Sequence, residues 1–183
     1  MADLTAIKQA IDTIDSLIGD PRRGLPEDLF LFAGRITPMV NVDLLIKNEK
    51  KQTLLTWRDD GYGKAGWHIP GGVIRYKETI AERIRAVAKT ELGAEVAFQP
   101  CPLAIKEIIL PDRKVRGHFI SFLYQCCLTT APDNRLQYRS GEPLPNQWMW
   151  HDTCPDNIIP VHEVYREYIE CSGARRREAR SAA

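Results

Sequence analysis

The sequence predicts an α/β (α+β) domain in which a mixed β-sheet is sandwiched between helices. Three observations lead there. Runs of alternating apolar and polar residues lie both before and after a single central helix; that helix carries start and stop signals of its own; and helical patterns stand near both ends of the chain.

In chain order, Leu4, Ile7, Ile11, Ile14 and Ile18 recur at heptad-like spacing, which predicts an amphipathic helix with a narrow apolar seam, stopped at Gly19-Asp20-Pro21. The seam must be buried, either on its own domain or against a second subunit. Residues 22–27, with prolines and glycines, read as a linker, so residues 1–28 form an N-terminal helix and linker and 29–170 the main domain. From Met39 the period becomes two, with Val40, Val42, Leu44 and Ile46 on one face and Asn41, Asp43 and Leu45 on the other, which is a strand. A turn at residues 48–51 leads into a second strand over 53–58, and residues 59–66 form a flexible loop long enough to border a pocket. Trp67-His68-Ile69 then runs into Pro70 and the Gly71-Gly72 turn. Further strands are expected at 95–98, 103–110, 118–128 and 147–151, and a final helix over 161–170.

The central helix is the most informative stretch. Thr79 and Glu82 have capping-box spacing, Gly93 is placed to end the helix in the left-handed conformation, and Ile84, Val87, Ala88 and Leu92 make one apolar stripe. Glu91 sits at the edge of that stripe in the last turn, where the helix dipole disfavours a negative charge by roughly 0.3–1 kcal/mol. A carboxylate there is either solvated or paired with a cation. Because glycine at 71 and 72 lets backbone approach a ligand closely, a hard metal held by Glu91 and the Gly71 carbonyl is a candidate.

Composition bounds the partners. The 183 residues are enough for one domain with a sizeable core, and the net charge of +1 gives no strong field, so neither nucleic acid nor a membrane surface is favoured. No apolar run reaches spanning length and no signal peptide is evident, which makes a cytoplasmic location the expectation. Five cysteines, an odd number without a C-x-x-C pair, fit reduced thiols. Residues 171–183, with Arg175-Arg176-Arg177 and no apolar face, read as a basic disordered tail.

The stretch from Gly72 to Gly93 resembles the Nudix box, with Gly72, Glu78, Glu91 and Gly93 at the correct separations. The match is degenerate: Ala86-Val87 stands for the Arg-Glu pair and Thr90 for the first Glu of the Glu-Glu pair. The GDP-mannose mannosyl hydrolase branch is degenerate in a similar way. Thr37-Pro38, Asp43, Leu54-Leu55, Arg58 and Trp67 through Gly72 also fall in register with that branch, so the resemblance covers roughly residues 37–94, with His118 and Trp150 matching further on.

The resemblance implies a Nudix fold, a homodimer and a Mg2+-dependent hydrolase, Mn2+ being an alternative ion, that acts on a nucleotide or nucleotide sugar such as GDP-mannose. It implies Glu91 and the Gly71 carbonyl as metal ligands, Arg58 against the departing diphosphate, and Asp43 lining the sugar side. In that branch water attacks the anomeric carbon and frees sugar and nucleoside diphosphate, so the metal stabilises only the leaving group. Trp67, Tyr62 and Trp148 are candidates to stack on a base. Two departures matter. Leu144-Pro145 replaces the Gln-His pair that carries the branch's general base, leaving Glu142, then His118 and His68, as replacements. Ala86 removes the arginine that would fix Glu78, leaving Arg75 or solvent as its partner. Pyrophosphate cleavage of a nucleotide, or ligand binding without turnover, are the alternative functions.

Overall fold

A computed structural model describes residues 3–170. Its centre is strand β1 (Met39–Ile46), which runs parallel to β7 (His118–Leu128) from the Met39–Phe119 pair to the Ile46–Cys126 pair. On its other side β1 pairs antiparallel with β4 (Gly71–Val73). The long β7 carries β6 (Ala104–Ile109) beside its first half and β5 (Val96–Phe98) beside its end, which completes a mixed five-stranded sheet. A second, antiparallel sheet has the order β3 (Gly66–His68), β2 (Thr53–Arg58), β8 (Trp148–His151).

Both faces of β1 are covered, as its near-continuous apolar run requires. Val42, Leu44 and Ile46 pack on one side with Ile84, Val87 and Leu92 from the central helix α3 (Ile80–Val87) and the turn that follows it. Leu45 packs on the other side with Leu55, Trp67, Leu123, Tyr165 and Ile169. The last two belong to a 3-10 turn (Pro160–Tyr165) and the short helix α4 (Arg166–Glu170), where the sequence pattern predicts one continuous helix. The mixed sheet flanked by helices is the predicted fold class.

Helix α3 opens as its sequence requires. Thr79 accepts from the Glu82 N–H and Glu82 returns a bond to the Thr79 N–H, so both halves of the capping box form. Its end is less regular: Ala88–Leu92 makes a π-helical turn, closed by Gly93 at φ 62°. π-turns inside α-helices concentrate at functional sites.

Two N-terminal expectations change. The stretch read as linker runs into a second helix, α2 (Glu27–Ile36), so the expected boundary at residue 28 falls inside an element. Helix α2 has acidic residues in its first turn and places Phe30 against Met39, Ile108 and Phe119. Gly34 brings the helix close to Met39: a Cβ there would meet Met39 Cε at 2.9 Å and the thioether would have to shift. The first helix, α1 (Leu4–Leu17), forms with Asp3 as its N-cap, but buries none of its residues on the domain; Leu4 is 77% and Leu17 79% exposed.

Cys101 and Cys127 are exposed thiols, and Cys126 and Cys154 are buried ones. Among the described residues no helix is long and apolar enough to cross a membrane. The expected disordered tail lies outside the described residues.

Thr79→Ala removes the cap acceptor and is expected to cost about 1 kcal/mol of stability, read as a lowered midpoint in urea unfolding with an unchanged slope.

Candidate active site

The antiparallel register of β1 and β4 sets Asn41 opposite Val73 and Asp43 opposite Gly71. Asp43 and Gly71 approach so closely that a Cβ on Gly71 would lie 2.1 Å from Asp43 Oδ1, so only glycine fits. Asp43 is 2% exposed and its Oδ2 accepts from Ser121 Oγ and, at 2.8 Å, from the Tyr165 hydroxyl. Burial, then the Asp43 charge, raises the Tyr165 pKa, so that hydroxyl keeps its proton and remains a donor. Asn41, two residues before Asp43 on the same strand face, has a buried Oδ1 without a hydrogen-bond partner.

Glu91 leaves the π-turn toward these groups. One carboxylate oxygen accepts from Thr56 Oγ1 at 2.9 Å and the other from the Gly71 N–H at 3.1 Å. Burial raises its pKa to about 7, outweighing those two bonds and the Arg58 charge, while Asp43 adds to the rise. His68 Nε2 lies 2.9 Å from the same Thr56 hydroxyl and 3.7 Å from Glu91 Oε2. With one hydroxyl proton between two neighbours, the trio has two arrangements. When Glu91 is ionised, Thr56 donates to it and accepts from Nε2–H; when Glu91 is protonated, it donates to Thr56, which donates to Nε2. Burial, reinforced by His162 and Arg58, holds the His68 pKa well below the usual imidazole range. His162 is also buried, and its Nδ1 accepts from the Ile69 N–H at 3.1 Å.

A cleft opens between these residues and a group of cations. Its lining includes Asn41, Asp43, Gly71, His68 and His162 together with Arg58, Lys64, Arg113 and Arg116. Arg58 Nη2 lies 2.6 Å and Arg116 Nη1 3.2 Å from Asp60 Oδ2, so Asp60 holds both guanidinium groups at the mouth. Burial works to raise the Asp60 pKa, but Arg58, the Tyr62 N–H and Arg116 together bring it below the usual carboxylate value. Arg116 has φ 52°, stacks over the Tyr62 ring at 4.9 Å, and has a buried Nε without a partner. The Tyr62 hydroxyl in turn donates to Glu27 at the start of α2. The arrangement can hold a doubly charged anion against the arginines in a cleft that also presents oxygen donors.

Of the residues singled out from sequence, the structure brings together Asp43, Arg58 and Gly71 at the cleft, with Glu91 directly behind Gly71 and His68. Trp67 is elsewhere: it is 4% exposed in the core, edge-on to Trp57, Tyr138 and His151, and Trp148 is a core residue too. Glu142 is exposed and outside the cleft lining, and His118 Nε2 lies 3.4 Å from Glu107, also away from it. Glu78 has a partner that sequence reading overlooked. Arg83, three positions before Ala86, reaches it with Nε at 2.8 Å and Nη2 at 2.8 Å, while the Arg75 side of the expected pair contributes only a backbone N–H. Thr56, Asp60, Arg116, Ser121, His162 and Tyr165 were not anticipated as site residues. Thr56 alone carried a signal, being two residues before Arg58 on a strand and therefore on the same face.

A family model described as the NUDIX domain matches residues 37–168. The chain is 32% identical over 79 residues to the low-salt glycan biosynthesis protein Agl8 of Haloferax volcanii, an alignment covering 43% of this chain and 50% of that protein. The chain thus spans about half the length of this curated relative. Among solved structures, a MutT NUDIX hydrolase from Burkholderia pseudomallei superposes with a TM-score of 0.54 at 19% identity, covering 72% of this chain and 97% of that one. A UDP-X diphosphatase superposes with a TM-score of 0.52 at 16% identity, covering 91% of this chain and 76% of that one. These two likenesses show the fold.

The Glu91 carboxyl gives a pH signature. Its folded pKa is raised to about 7, so between the unfolded value near 4.5 and 7 the folded protein binds the proton more tightly than the unfolded chain does. Stability contributed by that proton is complete below the unfolded pKa and is lost as pH rises through 7, at roughly 1.4 kcal/mol per pKa unit. Glu91→Gln can keep both hydrogen bonds and has no proton to lose. The variant is therefore expected to gain stability over wild type by a few kcal/mol between pH 5 and pH 8, measured by urea unfolding at each pH.

Proposed function

Because the chain belongs to the Nudix family, we propose that it hydrolyses a diphosphate-linked substrate, most specifically a nucleotide sugar, with a divalent cation at the Asp43–Glu91 side of the cleft. The observation that carries this reading is that four cationic side chains and the oxygen-bearing Asn41 and Asp43 line one cleft. A neutral small molecule would leave the four cations of this nearly uncharged chain without a purpose. A diphosphate matches them by paired, charge-assisted hydrogen bonds.

Among the described residues no three His, Cys, Asp or Glu side chains converge as a metal cluster. Two oxygen donors nevertheless fit a cation that brings most of its own ligands as water and phosphate oxygens, which is how Mg2+ is usually held. Asn41 Oδ1 is buried without a partner, and Glu91 is a carboxylate whose ionisation burial opposes. Mg2+, or Mn2+, would supply neutralisation of the charge that builds on the departing diphosphate.

The chain's own residues do the rest. Arg58 and Arg116, held by Asp60, bind and orient the diphosphate. Asp43 is the candidate proton acceptor for the attacking water: it lines the cleft, and Asp60 is already occupied by two arginines and the Tyr62 N–H. Ser121 and Tyr165 fix the Asp43 carboxylate from behind, leaving one oxygen for that task. Glu142 is exposed and does not line the cleft, and Leu144-Pro145 offers no proton acceptor. Attack at the sugar carbon asks less of a metal than attack at phosphorus does, which suits a site with few carboxylates.

Incubation with a panel of nucleotide sugars and Mg2+ is expected to release free sugar and nucleoside diphosphate. Sugar phosphate with nucleoside monophosphate would mean pyrophosphate cleavage instead, and ligand-induced thermal stabilisation without product would mean a binding protein. Asp43→Asn should lower kcat by about 10²-fold or more, whereas Arg58→Ala should raise KM by about tenfold or more.

A further inference from the structure

We infer, on the reading of the cleft as a diphosphate site, that a separate pocket between helix α2 and the end of strand β4 holds the base of the substrate's nucleotide and favours a base that carries a ring carbonyl. The cleft encloses about 100 Å³, whereas small-molecule sites start at roughly 300 Å³. It has room for a diphosphate and its cation, but not for the groups that a diphosphate joins. A second pocket of about 590 Å³ adjoins it. Val73 and Arg116 line both, and two strands lead from one to the other. Along β1, Asp43 and Asn41 line the cleft and Val40 and Met39 the pocket; along β4 and just beyond it, Gly71 and Gly72 line the cleft and Ile74, Arg75 and Tyr76 the pocket. A substrate whose diphosphate meets Arg58 and Arg116 therefore has one open direction of this size, over Val73.

The pocket suits a flat ring with a polar edge. Phe30 and Ala33 of α2 and Val40 and Ile74 on the sheet side give it apolar walls. Protein interiors hold few voids larger than a water molecule, so a gap of this size between a helix and the sheet it covers is space for a ligand. Its hydrogen-bonding side chains are Thr37, Tyr76 and the guanidinium groups of Arg75, Arg83 and Arg116, with no carboxylate, amide or imidazole among them. Glu78 engages Arg83 and Asp60 engages Arg116, whereas among the described residues the Arg75 side chain makes no ion pair. A guanidinium only donates. The edge of a base that matches it is a carbonyl oxygen with the adjacent ring nitrogen, and an exocyclic amine set against it stays unpaired. The aromatic residues that sequence offered for stacking on a base are engaged elsewhere: Trp67 and Trp148 lie in the core, and the Tyr62 ring is covered by Arg116.

Calorimetric titration of the full chain with pyrophosphate, inosine diphosphate and adenosine diphosphate in Mg2+ tests this. The two nucleotides differ in bearing a carbonyl or an amine on the purine ring, and nucleoside diphosphates are products of the proposed reaction, so it does not consume them. Both are expected to bind more tightly than pyrophosphate, and inosine diphosphate about tenfold more tightly than adenosine diphosphate. Val40→Trp, at a residue 39% exposed, and Ala33→Phe fill the pocket from its two sides. Each should bring inosine diphosphate down to the affinity of pyrophosphate and leave pyrophosphate itself unchanged, with a thermal midpoint equal to wild type as the check on folding. Arg75→Ala should abolish the preference between the two nucleotides. Folded filling variants that still bind inosine diphosphate as wild type does overturn the pocket, and equal binding of the two nucleotides by wild type overturns the carbonyl preference. Geranyl diphosphate binding that exceeds both nucleotides and is lost in Val40→Trp overturns the base in favour of an apolar chain. Failure of the diphosphate reading looks different: pyrophosphate does not bind, while inosine, which has no phosphate, binds wild type and not the filled variants. If inosine fails as well, the pocket falls with the cleft.

Discussion

One carboxylate joins the two sheets. Glu91 accepts a hydrogen bond from the Thr56 hydroxyl in the three-stranded sheet and another from the Gly71 N–H in the five-stranded sheet, and it hangs from the end of the central helix. Three elements are therefore registered on a single side chain. Burial opposes the charge that makes those bonds strong, and the conflict appears as a pKa near neutrality. The site is built on that conflict. A carboxylate that is geometrically fixed and electrostatically dissatisfied favours a cation more than one surrounded by compensating donors would, and the π-turn that carries it gives up regular helix geometry at that point.

The cation side of the cleft is organised by a different device. Asp60 neutralises part of the charge of Arg58 and Arg116 and fixes their direction, so an incoming anion meets guanidinium groups already aimed. The mouth is also tied to the N-terminal region, because Arg116 lies over Tyr62 and Tyr62 reaches Glu27. Helix α2 is thus a neighbour of the functional loop as well as a lid on Phe119 and Ile108.

Local rules carried the reading of the sequence where interactions are local. The capping box at Thr79 and Glu82, the left-handed Gly93, and the alternation along β1 each involve residues a few positions apart, and each forms as expected. Glu91 is legible because a carboxylate is out of place at a helix end, and the cleft lies beside it. What failed has a common physical origin. Ser121 and Tyr165 meet Asp43 from 78 and 122 residues away, and no spacing rule reaches so far. Arg83 replaces the missing box arginine from a different helical position, which geometry permits but a motif does not record. Helix α2 is ten residues long and lacks a side-chain cap, so it offered little besides Glu27 and Asp28 to mark its start. Trp67, by contrast, was legible as a large residue beside the glycine turn, but pattern alone could not tell that it faces the core.

The parallel pairing of β1 with β7 also bears on how the molecule comes into being. Strand β1 leaves the ribosome before its parallel neighbour, and the Ser121 and Tyr165 donors that secure Asp43 follow it by 78 and 122 residues. Contacts of such separation require the closure of a long loop before they return any stabilisation, and they slow folding relative to helical bundles of equal size. Until β7 arrives, β1 exposes an apolar strand with one edge unpaired, the kind of surface that chaperones hold and that aggregates if left unattended. Completion of the Asp43 side of the cleft and completion of the central sheet are the same event in this chain.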